Sequence, residues 1–342
     1  YTFYERTDID DRASRPLFIS FNGGPGSGSL WMHLGYTSPK QLVIDDEGYP
    51  VQPYGVRDNP HSILDVADIV YVNPVNTGFS RILDESVDRK KFFGVEADVT
   101  YLAAWLDVFV SRVDRWRSPK YLIGESYGTT RAAALSGLLQ EKHGFYLNGI
   151  MLISSSLDFQ TAYFRPGNDL PYILFLPTYA AIAWYHKQLD ASLMADLHAL
   201  LAEVEDFAQG EYAAALFQGA RLPADDRAAI AQKLARYTGL SPDYIEQANL
   251  RVEIQRFVKA LLRDQRRTVG RLDGRFLGID RDAAGEQSEY DPSYANIQGP
   301  YTAGFNDAIR RHLNFESDLP YEILTKRVHP WNYEKYQNEY VN

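Results

Sequence analysis

The segment Gly124-Glu125-Ser126-Tyr127-Gly128 has the order Gly-x-Ser-x-Gly, and it stands between a short apolar run and a stretch rich in Ala and Leu. A strand directly before and a helix directly after form the context in which this order makes a nucleophile elbow. The flanking glycines matter because the turn is tight and neighbouring Cβ atoms would collide. Such a turn lifts the Ser126 hydroxyl above the sheet edge. The unpaired amides of the helix that follows favour developing negative charge there. The chemistry expected is nucleophilic attack by Ser126.

A second group, Asn22-Gly23-Gly24-Pro25-Gly26-Ser27-Gly28, follows the apolar run 17–21. Acyl transfer needs two amide donors aimed at the tetrahedral oxyanion. One follows the nucleophile, and the other comes from a Gly-rich loop after an earlier strand. The amides of Tyr127 and Gly24 are the candidates. The loop has neither the Gly-x-x-x-x-Gly-Lys-Ser/Thr order nor a nearby lysine, which argues against a phosphate cradle.

The elements that must hold these residues can be read in outline. Four short apolar runs, 17–21, 69–72, 121–123 and 150–153, end at loop-forming residues, as strands buried on both faces do. Between the second and third, Val95, Val99, Leu102, Leu106, Phe109 and Val113 recur at helical spacing and predict an amphipathic crossover helix. A further helix is expected to start just after Ser126 and to stop near His143-Gly144. This is part of a doubly wound α/β fold with a mainly parallel sheet.

From residue 159 the pattern changes to helical spacing: Leu193, Leu197, Leu200, Val204 and Phe207, then Ile230, Leu234 and Tyr237. Pro223 and Ser241-Pro242-Asp243 read as helix starts, and Gly239 as a stop. Asp273-Gly274 predicts a two-residue hairpin turn between 269–272 and 275–277. The expected organisation is a core over 1–158, a largely helical insertion or cap over 159–320, and a return toward the core over 321–342. Arg263 with Arg266-Arg267, interleaved with Asp264, reads as a solvated helix face.

Composition limits the partners. The 342 residues carry 45 acidic and 35 basic side chains, a net charge of −10, which disfavours a nucleic-acid backbone as partner. With 45% hydrophobic and 23% charged residues the chain is globular in character. It has no cysteine, which excludes thiolate nucleophiles, disulfides and Cys-ligated metals. The apolar run 172–184 is too short for a membrane span and contains Pro177. Neither nucleic acid nor membrane is expected as a partner. Residues 1–16 carry charges where a secretion signal needs an apolar core, so no signal peptide is expected in this chain, either because none existed or because it has been removed.

Phe21-Asn22-Gly23-Gly24-Pro25-Gly26, Asn73-Pro74-Val75-Asn76-Thr77-Gly78-Phe79-Ser80 and Gly124-Glu125-Ser126-Tyr127-Gly128 occur in this order. Together they resemble the signatures of the serine carboxypeptidase family, the peptidase S10 group of α/β hydrolases. The resemblance implies a peptide substrate, Ser126 as nucleophile, Gly24 and Tyr127 as oxyanion donors, and no cofactor. It also implies that Asn22, Gly23 and Glu125 help to bind the substrate's terminal carboxylate, and it favours a secreted or periplasmic setting. A glutamate can bond a carboxylate only if the pair shares a proton, so such binding would strengthen at acid pH. Glu125 could instead simply brace the elbow. One departure is Trp31-Met32-His33-Leu34-Gly35-Tyr36, where many family members carry a further glutamate. An esterase or acyltransferase on the same scaffold, or a non-catalytic peptide-binding homologue, are the alternatives.

A serine nucleophile needs a base and an acid, in the order Ser, Asp, His for this architecture. The family's Asn-Gly-Asp-like turn and Gly-His segment are absent after Ser126. His329, in Arg327-Val328-His329-Pro330-Trp331, and His312 are weak candidates for the base, and Asp158 and Asp291 weaker ones for the acid. His33, His61, His143, His186 and His198 have no ligand partner at helical spacing, so no metal is expected. The sheet is expected to be incomplete, as in an interior portion of a longer chain whose acid and base lie beyond residue 342.

Overall fold

The computed structural model describes residues 1–333. They fall into two units, residues 1–158 with those from 299 onward, and Phe159–Gln298.

The first unit is built on a five-stranded sheet. Its elements are β1 (Thr2–Tyr4), β2 (Leu17–Phe21), the short helix α1 (Leu30–Met32), a side ribbon of β3 (Lys40–Leu42) and β4 (Val56–Asp58), then β5 (Asp68–Tyr71), α2 (Val95–Arg112), β6 (Lys120–Glu125), α3 (Tyr127–His143) and β7 (Gly149–Ile153). The strand order is β1-β5-β2-β6-β7. The last four strands are parallel and β1 joins β5 antiparallel. All four expected runs are strands of this sheet. The edge strand β1 was not anticipated, because three residues are too few to show an alternation.

Alternation along the central strands accounts for burial on both faces. Leu17, Ile19, Phe21, Val70 and Leu122 pack under Val99, Leu102, Leu106 and Phe109 of α2 and Leu135 and Leu139 of α3. Phe18, Ile69, Tyr71 and Ile123 point the other way, onto Met32 and Ala67. Successive side chains of a strand face opposite sides, so a strand covered on both faces must be apolar throughout. The edge strand β7 departs from that reading, since Ile150 and Met151 are 40% and 43% exposed. An edge strand has a sheet neighbour on one side only, and β7 pairs with β6 alone among the described residues.

At the N-terminal ends of the strands, Asp68 accepts from Arg15 Nε at 3.0 Å and from Arg115 Nη1 at 2.6 Å, with all three side chains buried. The register pairs Phe21 with Gly124 and Glu125 with Ile153. The C-terminal ends of β2 and β6, where the glycine loop and the elbow begin, are therefore side by side.

The second unit is largely helical. It holds α4 (Leu170–Tyr185), α5 (Leu197–Phe207), α6 (Ala213–Gln218), α7 (Ala224–Thr238), α8 (Pro242–Gln247) and α9 (Ile254–Ala260), followed by the hairpin of β8 (Thr268–Val269) and β9 (Leu277–Gly278). Its core gathers Leu193, Leu200, Val204, Phe207, Ile230, Leu234 and Tyr237, the residues of the helical spacing. Pro223 is the N-cap of α7, Gly239 ends it in the left-handed conformation, and Ser241 caps α8 by accepting from Tyr244 N. The hairpin is looser than predicted, with only Thr268↔Gly278 and Val269↔Leu277 paired. Asp273-Gly274 lies in a seven-residue connection that folds on itself, Phe276 N donating to Asp273 O and Gly270 N to Phe276 O.

Helix α10 (Pro292–Arg311) carries the chain across the boundary between the units. The second unit ends at Gln298, whereas the expected insertion runs to 320. Phe305, Ala308 and Ile309 explain the difference, because they bury against Leu30 and Leu34 of the first unit. No described helix is long and apolar enough to cross a membrane.

Candidate active site

Ser126 sits between β6 and α3 with φ 58° and ψ −126°. A side chain strains this region of backbone space, and the cost persists only where the surroundings enforce it. The enforcement is visible. Ser126 N donates to Ile153 O at 3.0 Å, and Ser126 O accepts from Thr129 N at 2.9 Å and Thr129 Oγ1 at 2.7 Å. A Cβ on Gly124 would stand 2.1 Å from Gly128 O, so the strand and helix can close on each other only with glycine there. The Ser126 side chain is partly exposed and bonds to no described residue.

The glycine loop lies directly against this turn. A Cβ on Gly23 would be 2.4 Å from Tyr127 N and 2.7 Å from Glu125 O. Gly24 has φ +108°, and its N–H belongs to the same peptide plane as Gly23 O, which accepts from Ser27 N at 3.1 Å. A planar peptide held by its carbonyl has its N–H direction set as well. Tyr127 N belongs to the first turn of α3, where helices leave their amides unpaired. Neither Gly24 N nor Tyr127 N donates to a described residue. The two amides expected to stabilise an oxyanion thus belong to adjoining segments, and both are available.

Asn22 and Glu125 also meet. Asn22 Nδ2 donates to Glu125 Oε2 at 3.0 Å, and Asn22 Oδ1 accepts from Met32 N at 3.0 Å. Asn22 is fully buried whereas Glu125 is partly exposed, so one end of the pair is anchored and the other can be reached. In the departing segment, His33 is buried, stacks on Tyr71 at 4.4 Å between centroids and bonds through Nε2 to Tyr4 Oη at 2.8 Å. Burial pushes its imidazole down to about 3, so it is neutral at pH 7.

Among the described residues none of the weak candidates for base and acid makes a hydrogen bond to the Ser126 side chain. His312 and His329 are both exposed, and His312 lies at the end of α10, where its N–H donates to Ala308 O. Asp291 is occupied locally by Arg271 N, Ser293 N and Ser293 Oγ at the start of α10. The other candidate acid, Asp158, is partly exposed. Among the described residues one histidine–carboxylate pair is present, His143 Nδ1 with Asp107 Oδ2. At ~1.5 Å per residue the length of α3 places it roughly 24 Å from the elbow, too far to act there.

Sequence reasoning missed one feature of the site. Arg131 of α3 and Asp98 of α2 form an ion pair at 2.7 Å, with 1% and 0% of their side chains exposed. The available signal was Asp98 on the stripe of Val95, Val99 and Leu102, where a charge must be buried with a partner. Among the described residues no group of three or more His, Asp or Glu could hold a metal ion.

Comparisons with known proteins bear on the family of the chain. A family model described as serine carboxypeptidase matches residues 1–335. The pheromone-processing carboxypeptidase KEX1 of Kluyveromyces lactis is 29% identical over 163 residues, 46% of this chain and 22% of that protein. Serine carboxypeptidase-like 45 of Arabidopsis thaliana is 28% identical over 162 residues, 44% of this chain and 32% of that protein. The matched stretch is thus a third or less of the length of either relative. The crystal structure of a prohormone-processing carboxypeptidase from Saccharomyces cerevisiae has a TM-score of 0.40 and 19% identity, covering 69% of this chain and 47% of that one. With the family match spanning almost the whole sequence, the chain belongs to the serine carboxypeptidase family.

Proposed function

We propose that the protein is a serine-type carboxypeptidase, with Ser126 attacking the C-terminal peptide bond of a peptide to form an acyl-enzyme that water then releases. The observation that carries this reading is the backbone of Ser126, held at φ 58° on the elbow with the Gly23-Gly24 loop packed against it. The amides of Gly24 and Tyr127 would receive the charge of the tetrahedral intermediate. Family membership supports the reaction class. The name of one relative, a pheromone-processing carboxypeptidase, supports a peptide as substrate.

Glu125, anchored by Asn22, is the proposed acceptor for the substrate carboxylate. One proton shared by the two carboxyl groups makes the contact attractive, so binding tightens as pH falls. The burial of His33 favours a second reading, in which an ester or acyl donor replaces the peptide, because that segment brings no further carboxylate to Glu125.

The test is reaction of the folded chain with a fluorophosphonate, read by intact mass and adduct position. An adduct on Ser126 that disappears in Ser126→Ala supports the proposal, and it requires that a base reach the serine. Folded protein that takes no adduct overturns the proposal for this chain. If it does react, hydrolysis of a free-carboxylate peptide faster than its C-terminal amide selects the carboxypeptidase over the esterase.

A further inference from the structure

We propose that Arg131 is a positioning residue that fixes the glycine loop against the elbow and so sets where the Gly24 amide points. The inference rests on the reading of Ser126 and its two amide donors given above. Arg131 lies on α3, five residues after Ser126, and is 1% exposed. Its Nε donates to Asp98 Oδ2 at 2.7 Å, and its Nη1 donates to Asn22 O, also at 2.7 Å. The guanidinium carbon lies 5.2 Å from the ring centroids of both Phe21 and Tyr127. The fork of Arg131 is thus shared between a carboxylate on α2 and the first carbonyl of the glycine loop.

The same carboxylate gathers the rest of the site. Asp98 accepts from Tyr101 Oη at 3.0 Å and more weakly from Tyr127 Oη at 3.4 Å, and Tyr101 Oη accepts from Val75 N at 3.1 Å. Burial raises the pKa of both tyrosines well above the usual value, so both remain hydroxyl donors. The segments 21–26, 73–80 and 124–128 are distant in sequence, yet each is tied to this one ion pair.

Stability alone is a poor explanation for such a pair. Removing two charges from water is costly, and well-packed apolar residues of similar volume often serve a fold as well or better. What an apolar pair could not do is hold a carbonyl. With Asn22 O held by Arg131 and Gly23 O held by Ser27 N, the two consecutive peptide planes leading to Gly24 N are both pinned. Lysine would keep the charge opposite Asp98, but its single nitrogen lacks the planar fork that reaches two acceptors in fixed directions.

The experiment compares the wild-type chain with Arg131→Lys by amide hydrogen exchange, and by the rate of fluorophosphonate reaction at Ser126. The positioning role predicts exchange at least about tenfold faster at Ser27 and Met32, the amides that report the loop's carbonyl and the Asn22 side chain, while Val75, Leu122 and Leu135 keep wild-type protection. The maximal reaction rate should fall about tenfold with little change in the half-saturating concentration, as misplacement of a reacting group predicts. Wild-type exchange at Ser27 and Met32, or an even rise across β6 and α3, would overturn the proposal. If Arg131→Lys does not fold, the charge-neutral pair Arg131→Gln with Asp98→Asn is read in the same way. A wild-type chain that never reacts defeats the functional reading of Ser126, whereas the exchange pattern still decides whether Arg131 holds the loop.

Discussion

Asn22 and Glu125, 103 positions apart in the chain, meet at 3.0 Å, with the buried amide donating to the carboxylate at the lip of the elbow. The register makes the contact, because Phe21 pairs with Gly124 and the next residues, Asn22 and Glu125, therefore come at the same level. Asn22→Ala removes both the donor to Glu125 and the acceptor for Met32 N. The loss expected is about 1–3 kcal/mol, the cost of leaving buried polar groups unpaired. Urea denaturation checks the stability. Titration with a short peptide, free acid against C-terminal amide, checks whether discrimination between them falls as well.

Gly23→Ala and Gly137→Ala should differ in sign. At Gly23 a methyl group would meet main-chain atoms of Tyr127 and Glu125, neither of which can swing away, whereas at Gly137 of α3 it would meet nothing within 4 Å. Gly23→Ala should cost about 1–3 kcal/mol or more through overpacking, and should suppress reaction at Ser126. Gly137→Ala should gain about 0.5–1 kcal/mol by reducing the unfolded chain's freedom inside a helix. Equal effects in thermal unfolding would show that the loop does not press on the elbow.

The buried His33 makes stability fall with acid. Its folded-state value of about 3, lowered by burial, lies below the ordinary imidazole value of 6.5, so the unfolded chain binds the proton first. The contribution of His33 is complete above about pH 6.5 and is lost as the pH falls from there toward 3, at up to about 1.4 kcal/mol per pH unit. In His33→Phe, the denaturation free energy measured between pH 7 and 5 should lose that part of its slope, whatever its absolute value. A slope identical to that of the wild type would mean that His33 is protonated in the folded protein.

The Asp98–Arg131 pair should be strongly non-additive. Asp98→Ala leaves a guanidinium buried without its carboxylate and should cost about 3–5 kcal/mol. Combining Asp98→Leu with Arg131→Met removes both charges and should recover most of that loss, while leaving Asn22 O without its donor. A double-mutant cycle by urea denaturation measures the coupling. Simple addition of the two single effects would contradict the pairing described.

What could be read along the chain was what depends on near neighbours. The crossover helix was legible because Val95, Val99, Leu102, Leu106 and Phe109 repeat with the period of one buried face, and α2 buries these residues. The limits of α3 and α7 followed from local backbone chemistry at Ser126, Gly144, Pro223 and Gly239. The sequence also carried the tight turn at Ser126, since the order Gly-x-Ser-x-Gly states in five residues which positions can bear a Cβ.

The rest was decided by contacts between distant segments. Nothing near Arg131 in the sequence indicates that it bonds to Asn22 O, because that contact exists only once β2 and β6 are paired and α3 is laid across them. The exposure of Ile150 and Met151 depends on β7 lying at a sheet edge, a property of strand order that an apolar run does not encode. The return of the chain to its first unit at 299 depends on Phe305 and Ile309 finding Leu30 and Leu34. The sequence by itself determined the local backbone geometry of Ser126. Tertiary structure alone determined what holds the glycine loop against it, because a hydrogen bond or a buried contact needs two partners and the spacing of one segment describes only one of them.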